Sequence, residues 1–293
     1  MSAILPKYPV LKTLVSTGSP ADFLAAILRL GAARTPAYVC CANVHMLVEA
    51  HRHPGFRRIL NRAHLVTPDG SPVAASLRWL HGQPQARVAG LDLLPALLAA
   101  AAAAGQSVYF YGTTAAVLAA LVARARRELP ALRVAGWHAP PFRPLSPAED
   151  AADVAAINAA RPHLLFVALG CPRQERWMAA HRGRLRACLL GVGQAFRVYA
   201  GLEARLPAWA RPLGLEWAFR LWQEPRRLAG RYLRTNPVFV LLLARALLAL
   251  YVGWPAPFGQ PARRRGGGGA RWRRRAGRAG GKVSIFHAKA LAS

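Results

Sequence analysis

The chain has 293 residues, 40 of them Lys or Arg against 12 Asp or Glu, for a net charge of +28. Its 54% hydrophobic content excludes a disordered chain and suffices for one large α/β domain or two modest ones. The charge calls for anionic partners, whether nucleic acid, phosphorylated substrates or an anionic membrane. Ten of the basic residues lie between Trp254 and Ser293 with no acid among them, and the other arginines are spread out rather than gathered on a nucleic-acid-binding motif.

Taken in chain order, the first fourteen residues lack a basic start followed by a long apolar core, so no secretory signal is expected. Asp22, after Ser19-Pro20, suits a helix start. Apolar runs of strand length then alternate with helical patterns. Strands are expected over residues 38–42, 64–67, 108–111, 133–137, 164–169 and 187–192. Helices are expected over 44–61, 72–80, 91–104, 114–129, 147–160 and 172–182. This alternation predicts an α/β fold, a doubly wound and mostly parallel Rossmann-like sheet. Ligands on such sheets bind at the carboxyl ends of the strands, which draws attention to Asn43, Asp69-Gly70, Gly112-Thr113-Thr114, Gly170 to Glu175 and Gly191-Val192-Gly193-Gln194. In the stretch from Gly170 to Trp177, Pro172 suits the first helical turn, and Glu175 suits the positive end of the helix dipole. The four cysteines, at 40, 41, 171 and 188, form no CxxC pair and fit a reduced compartment.

After Gly201 the character changes. Residues 201–234 carry Trp209, Trp217, Trp222, Tyr232 and seven arginines, and residues 237–254 hold Arg245 as their sole charge. A central arginine costs about 2.5–3.5 kcal/mol on insertion scales. A helix lying in the membrane interface or docked on the domain is therefore favoured over a span. The expected organisation is an α/β core over 1–201, a helical, Arg/Trp-rich, membrane-associating appendage over 202–254, and a basic tail over 255–293. The tail's Pro/Arg/Gly composition predicts disorder.

Elimination narrows the chemistry. The sequence has no P-loop, and Gly191-Val192-Gly193 lacks the third glycine of a dinucleotide fingerprint. Neither an HExxH nor a paired Cys/His set suggests zinc, and no Asp-x-Asp pair is present to hold Mg²⁺ on a diphosphate. A nucleoside diphosphate would have to be neutralised by arginines and helix N-termini. Among the few acids, Asp69, Asp92 and Glu175 fall near strand ends. Asp69 sits either in a simple Pro-Asp-Gly turn or where a general base faces a ligand.

The ordered pieces resemble the WecG/TagA/CpsF glycosyltransferases, family 26, over roughly residues 38–239. Cys41-Ala42-Asn43 stands where that family has Thr-x-Asn. Thr67-Pro68-Asp69-Gly70 follows, then the run from Arg87 to Leu93 with Asp92, Tyr111-Gly112, and Leu169 to Glu175. Gly191-Val192-Gly193, Pro207-Ala208-Trp209, Gly214 to Leu221, Glu224 to Arg227 and Arg231-Tyr232-Leu233 complete the match. The resemblance implies an inverting, metal-independent transfer of N-acetylmannosamine, glucose or a uronic acid from a UDP-sugar to an undecaprenyl-diphosphate-linked saccharide. The setting it implies is cell-surface polysaccharide synthesis at the cytoplasmic face of the bacterial inner membrane, with no cofactor and no specific nucleic acid, and with homo-oligomerisation left open.

By the same resemblance Asp69 is the base. Asn43, Arg87, Asp92, Gly112, Gln174, Glu175 and Gly193 are expected at the substrates, and Arg211, Arg220 and Arg227 at the diphosphate. Two departures stand out. Arg197 replaces the Asp of the family's Gly-Gly-x-Phe-Asp, and Cys41 replaces a hydroxyl-bearing Thr. The alternatives are a basic nucleic-acid-binding protein or an inactive family member.

Overall fold

A computed structural model describes residues 5–207, 209–210 and 214–252. The expected basic tail and Arg211 lie outside the described residues. The chain opens with an antiparallel hairpin, β1 (Lys7–Val10) and β2 (Thr13–Ser16), followed by α1 (Pro20–Ala32). At the start of α1, Ser19 and Asp22 form a reciprocal capping box, so Asp22 does open a helix.

Six strands then build one sheet: β3 (Ala37–Ala42), β4 (Leu65–Pro68), β5 (Ser107–Gly112), β6 (Arg133–His138), β7 (Leu164–Ala168) and β8 (Cys188–Gly191). Their spatial order is β4-β3-β8-β7-β5-β6, and every pairing is parallel. Parallel strands need crossovers, and helices supply them. These are α2 (Val44–Arg52), α3 (Pro54–Arg62), α4 (Ser71–His81), α5 (Gly90–Ala103), α6 (Ala115–Glu128), α7 (Pro147–Ala160) and α8 (Arg173–His181), and α9 (Ala195–Tyr199) follows the last strand.

The strand residues alternate between two apolar cores. Val39, Phe110, Phe166 and Leu190 pack with α1, α5, α6 and α9 on one face. Tyr38, Tyr111, Val167 and Leu189 pack with α2, α3, α4 and α8 on the other. All six strands expected from the apolar runs are present, with no end shifted by more than one residue. The sheet and its helical cover are consistent with a Rossmann-like core.

Two expectations need correction. The helix expected over 44–61 is two helices, because His53 is extended (φ −119°, ψ 96°), as the residue before a proline tends to be, and Pro54 opens α3. Pro172 caps α8 rather than entering its first turn, and its peptide bond with Cys171 is cis.

Beyond residue 214 come α10 (Glu216–Gln223) and α11 (Pro225–Val252). Helix α11 starts well before residue 237 and runs through Pro237, which forgoes one helical hydrogen bond. It is long and apolar enough to cross a membrane by length and composition. Its inner side buries Leu228, Thr235, Phe239 and Leu243 and packs on α2 and α4, while Val240, Leu241, Leu248 and Tyr251 stay exposed. It is thus docked on the domain along one side.

Candidate active site

Two neighbouring strands that send their chains to opposite faces leave a crevice between them. Here β3 leads into α2 on one face, while its neighbour β8 leads into α9 on the other. A cleft of about 520 Å³ opens at their carboxyl ends. Its walls come from the loops after β3, β4, β7 and β8, from the first turn of α2, and from α10 and α11.

The Asp69 N–H donates to Ala42 O at 3.0 Å, which brings the ends of β3 and β4 together and sets Asp69 beside Asn43 in the cleft. The carboxyl of Asp69 is pushed up to about 6 by burial; Arg220, Arg87 and the Gly90 N–H, which favour the anion, offset part of that rise. A carboxylate with this balance is ionised at neutral pH and still basic enough to take a proton. Asn43 spends its side-chain oxygen on capping α2, accepting from Met46 N at 3.0 Å.

Gln174, at the start of α8, is buried and reaches under β8. A Cβ at Gly191 would meet its Nε2 at 3.0 Å and Met178 Cε at 2.7 Å, so glycine there makes room for this side chain. Gln174 Nε2 donates to Glu175 Oε1 at 2.7 Å, and Gln174 Oε1 has no partner among the described residues. Glu175 is fully buried and not among the residues that line the cleft; burial pushes its carboxyl up to about 7. Its place is behind Gln174.

The arginines fall into two groups. Arg87 pairs with Glu216 and, at 2.9 Å, with Asp92. Arg205 completes a square, reaching Asp92 at 2.5 Å and Glu216 at 3.3 Å. This square ties the start of α10 to the start of α5. Arg87 and Glu216 border the cleft, but Asp92 does not.

Arg220, Arg227 and Arg231 line the cleft itself. Arg227 pairs with Glu224, whereas the buried Nε atoms of Arg220 and Arg231 have no partner among the described residues. Burial, together with the nearby Arg220 and Arg227, pulls Arg231 below its ordinary value. Burial and Arg231 do the same to His45 on α2. Crowded, desolvated cations of this kind are relieved by an anion.

Of the remaining expectations, Gly193 lines the cleft. Gly112 does not. It is in the left-handed region (φ +112°), and a Cβ there would lie 2.5 Å from Ala168 O, so close approach of β5 to β7 explains it. Arg197 pairs with Glu203 outside the cleft, while Cys41 is part of the lining. Sequence reasoning missed His45, in the first turn of α2, and Arg231, which the docking of α11 on α2 brings to the site. Gln194, at the strand end after β8, lines the cleft; its Nε2 reaches Glu203 and its buried Oε1 has no partner among the described residues.

Buried polar atoms are nearly always hydrogen-bonded. This cleft gathers five with no partner among the described residues: Gln174 Oε1, Gln194 Oε1, His45 Nδ1, Arg220 Nε and Arg231 Nε. Together they can accept from hydroxyl or amide groups and donate to an anion. Among the described residues no three His, Cys, Asp or Glu side chains cluster so as to hold a metal.

A sequence model of the Glycosyl transferase WecG/TagA/CpsF family matches residues 8–252. An N-acetylglucosaminyldiphosphoundecaprenol N-acetyl-beta-D-mannosaminyltransferase of Bacillus spizizenii is 32% identical over 193 residues, covering 65% of this chain and 73% of the relative. A Staphylococcus aureus protein of the same description is 28% identical over 210 residues, covering 71% of this chain and 80% of the relative.

Proposed function

Because the chain belongs to the WecG/TagA/CpsF glycosyltransferase family, we propose that this cleft transfers a sugar from a UDP-sugar to an undecaprenyl-diphosphate-linked saccharide, with inversion and without a metal. The observation that carries this reading is the juxtaposition of a raised carboxylate, Asp69, with the arginines of α10 and α11 in one cleft full of unpartnered polar atoms.

In this mechanism Asp69 accepts the proton of the acceptor hydroxyl as its oxygen bonds to the anomeric carbon. The bond from that carbon to the UDP oxygen breaks on the opposite face, and the configuration inverts. Negative charge grows on the departing diphosphate, where Arg220, beside Asp69, is a fixed donor, while Arg227 and Arg231 stand further along α11 for the acceptor's diphosphate. Gln174 and Gln194 offer acceptors to sugar hydroxyl or amide groups, and Asn43 borders the same space. Arg87 and Asp92 act through the square that seats α10. Arg211 is a further diphosphate candidate on the resemblance alone.

The two relatives are named for moving N-acetylmannosamine onto an N-acetylglucosamine diphosphoundecaprenol. An N-acetylated donor is therefore the first to try here, ahead of glucose and uronic acids. The exposed face of α11, with Trp209, Trp217 and Trp222, supports a peripheral seat on an anionic membrane, where such side chains favour the headgroup region.

The test is a panel of radiolabelled UDP-sugars with polyprenyl-diphosphate N-acetylglucosamine, run in EDTA, with NMR of the product's anomeric centre. Transfer with inversion is expected. Activity lost in EDTA and restored by Mg²⁺ would overturn metal independence, and retention of configuration would overturn the single displacement.

A further inference from the structure

The cleft is not uniform along α11. The residues that α11 turns toward it read, from its N-terminal end, Arg227, Arg231, Tyr232, Asn236, Phe239, Val240 and Leu243. Arginine gives way to hydrocarbon over 16 residues, about 24 Å at the helical rise. Across from the apolar end, α2 contributes Val44 and Met46, so two helices wall it. Val240 borders the cleft yet is 63% exposed, whereas Phe239 and Leu243 are buried between the helices. The apolar end therefore leads out past Val240 to the uncovered apolar side of α11, where Leu241 and Leu248 stand.

A UDP-sugar alone has no use for such a wall. A molecule with a diphosphate joined to a hydrocarbon chain matches the gradient in the order in which it occurs: phosphate at Arg227 and Arg231, hydrocarbon at Val240 and Leu243. We infer that the apolar end of the cleft between α2 and α11 binds the isoprenoid units next to the diphosphate of the lipid-linked acceptor. The inference rests on the proposed transfer reaction and adds to it a contact with the lipid itself. The acceptor is thus selected by its chain as well as by its sugar, and the rest of the chain leaves along the exposed side of α11.

The experiment uses the full chain in detergent micelles, so that adsorption to a bilayer does not limit the rate. Two acceptors carry the same sugar diphosphate, one on an isoprenoid chain and one on a short ethyl ester. For the wild type, kcat/KM is expected to be higher with the isoprenoid. Val240→Asp should lower the ratio of the two values about tenfold, a loss of about 1.4 kcal/mol of selective binding, and Val240→Leu should retain the ratio. Phe142→Asp, at an exposed apolar side chain that neither lines the cleft nor belongs to α11, should also retain it. Because Val240 is exposed, the Asp variant is expected to fold, with the melting temperature as the check. An unchanged ratio in Val240→Asp, or an equal fall in Phe142→Asp, would overturn the inference while leaving the transfer reaction standing. Absence of transfer to either acceptor by the wild type would overturn the transfer reaction and the inference with it.

Discussion

Replacing Glu175 with Gln isolates what it costs to ionise a carboxyl held behind the cleft. Glu175 is fully buried, accepts from Gln174 Nε2 at 2.7 Å, and leaves Oε2 without a partner among the described residues. Burial raises it from an ordinary 4.5 to about 7. Between these values the native state keeps a proton that the unfolded chain has released. The stability this proton contributes is fully present below pH 4.5 and is lost as pH rises through 7. At about 1.4 kcal/mol per pH unit, the loss comes to about 3 kcal/mol.

Glutamine keeps an acceptor for Gln174 and has nothing to ionise. Urea unfolding of the wild type and Glu175→Gln at pH 5 and pH 8 should therefore give similar stabilities at the lower pH. At the higher pH the variant should be more stable by about 3 kcal/mol. The difference between the two proteins cancels every other titrating group they share. A difference that stays constant from pH 5 to pH 8 would refute the reasoning, because Glu175 would then be no costlier to ionise folded than unfolded.

Other perturbations separate the site's parts. The kcat/KM of the wild type should rise with pH through a limb near 6 as Asp69 ionises, read from a pH–rate profile; a flat profile from pH 5 to 8 would remove Asp69 as the base. Glu216→Ala takes from Arg87 and Arg205, whose side chains are only 20% and 15% exposed, one of the two carboxylates they share, leaving Asp92 alone to both, and should cost about 2 kcal/mol in denaturant unfolding. Breaking the outlying, solvent-exposed Arg143–Glu149 pair with Arg143→Ala should leave the denaturant midpoint nearly unchanged. Trp222→Ala, at a side chain 78% exposed, should weaken co-sedimentation with anionic liposomes without changing the melting temperature.

The sheet was legible because each of its strands is a short apolar run closed by a turn or a helix signal, and burial on both faces demands such runs. The N-terminal hairpin was not. Its turn residues, Leu11 and Lys12, take positive φ values of 48° and 71°, where glycine or asparagine would have marked the turn. Asp69 was readable as a strand-end acid, but its Pro-Asp-Gly context fits a plain turn equally well. Its neighbours Arg220 and Arg87 lie far from it in sequence and reveal its setting only after folding. Gly112 shows the opposite case, a strand-end glycine whose reason is the backbone of the next strand. Nothing local in the sequence separates the arginines that enter the cleft from those that pair elsewhere. Arg231 reaches it because α11 docks on α2, while Arg197, one turn past the cleft-lining Gln194, turns to Glu203.

The central claim is that Asp69 takes the acceptor's proton in a transfer from a UDP-sugar. Its most direct measurement is acceptor-dependent release of UDP by the wild type and by Asp69→Asn, with UDP affinity followed in parallel by calorimetry. The account predicts a fall in kcat of about 10²–10⁴ with UDP affinity retained. Near-wild-type turnover in Asp69→Asn would contradict it.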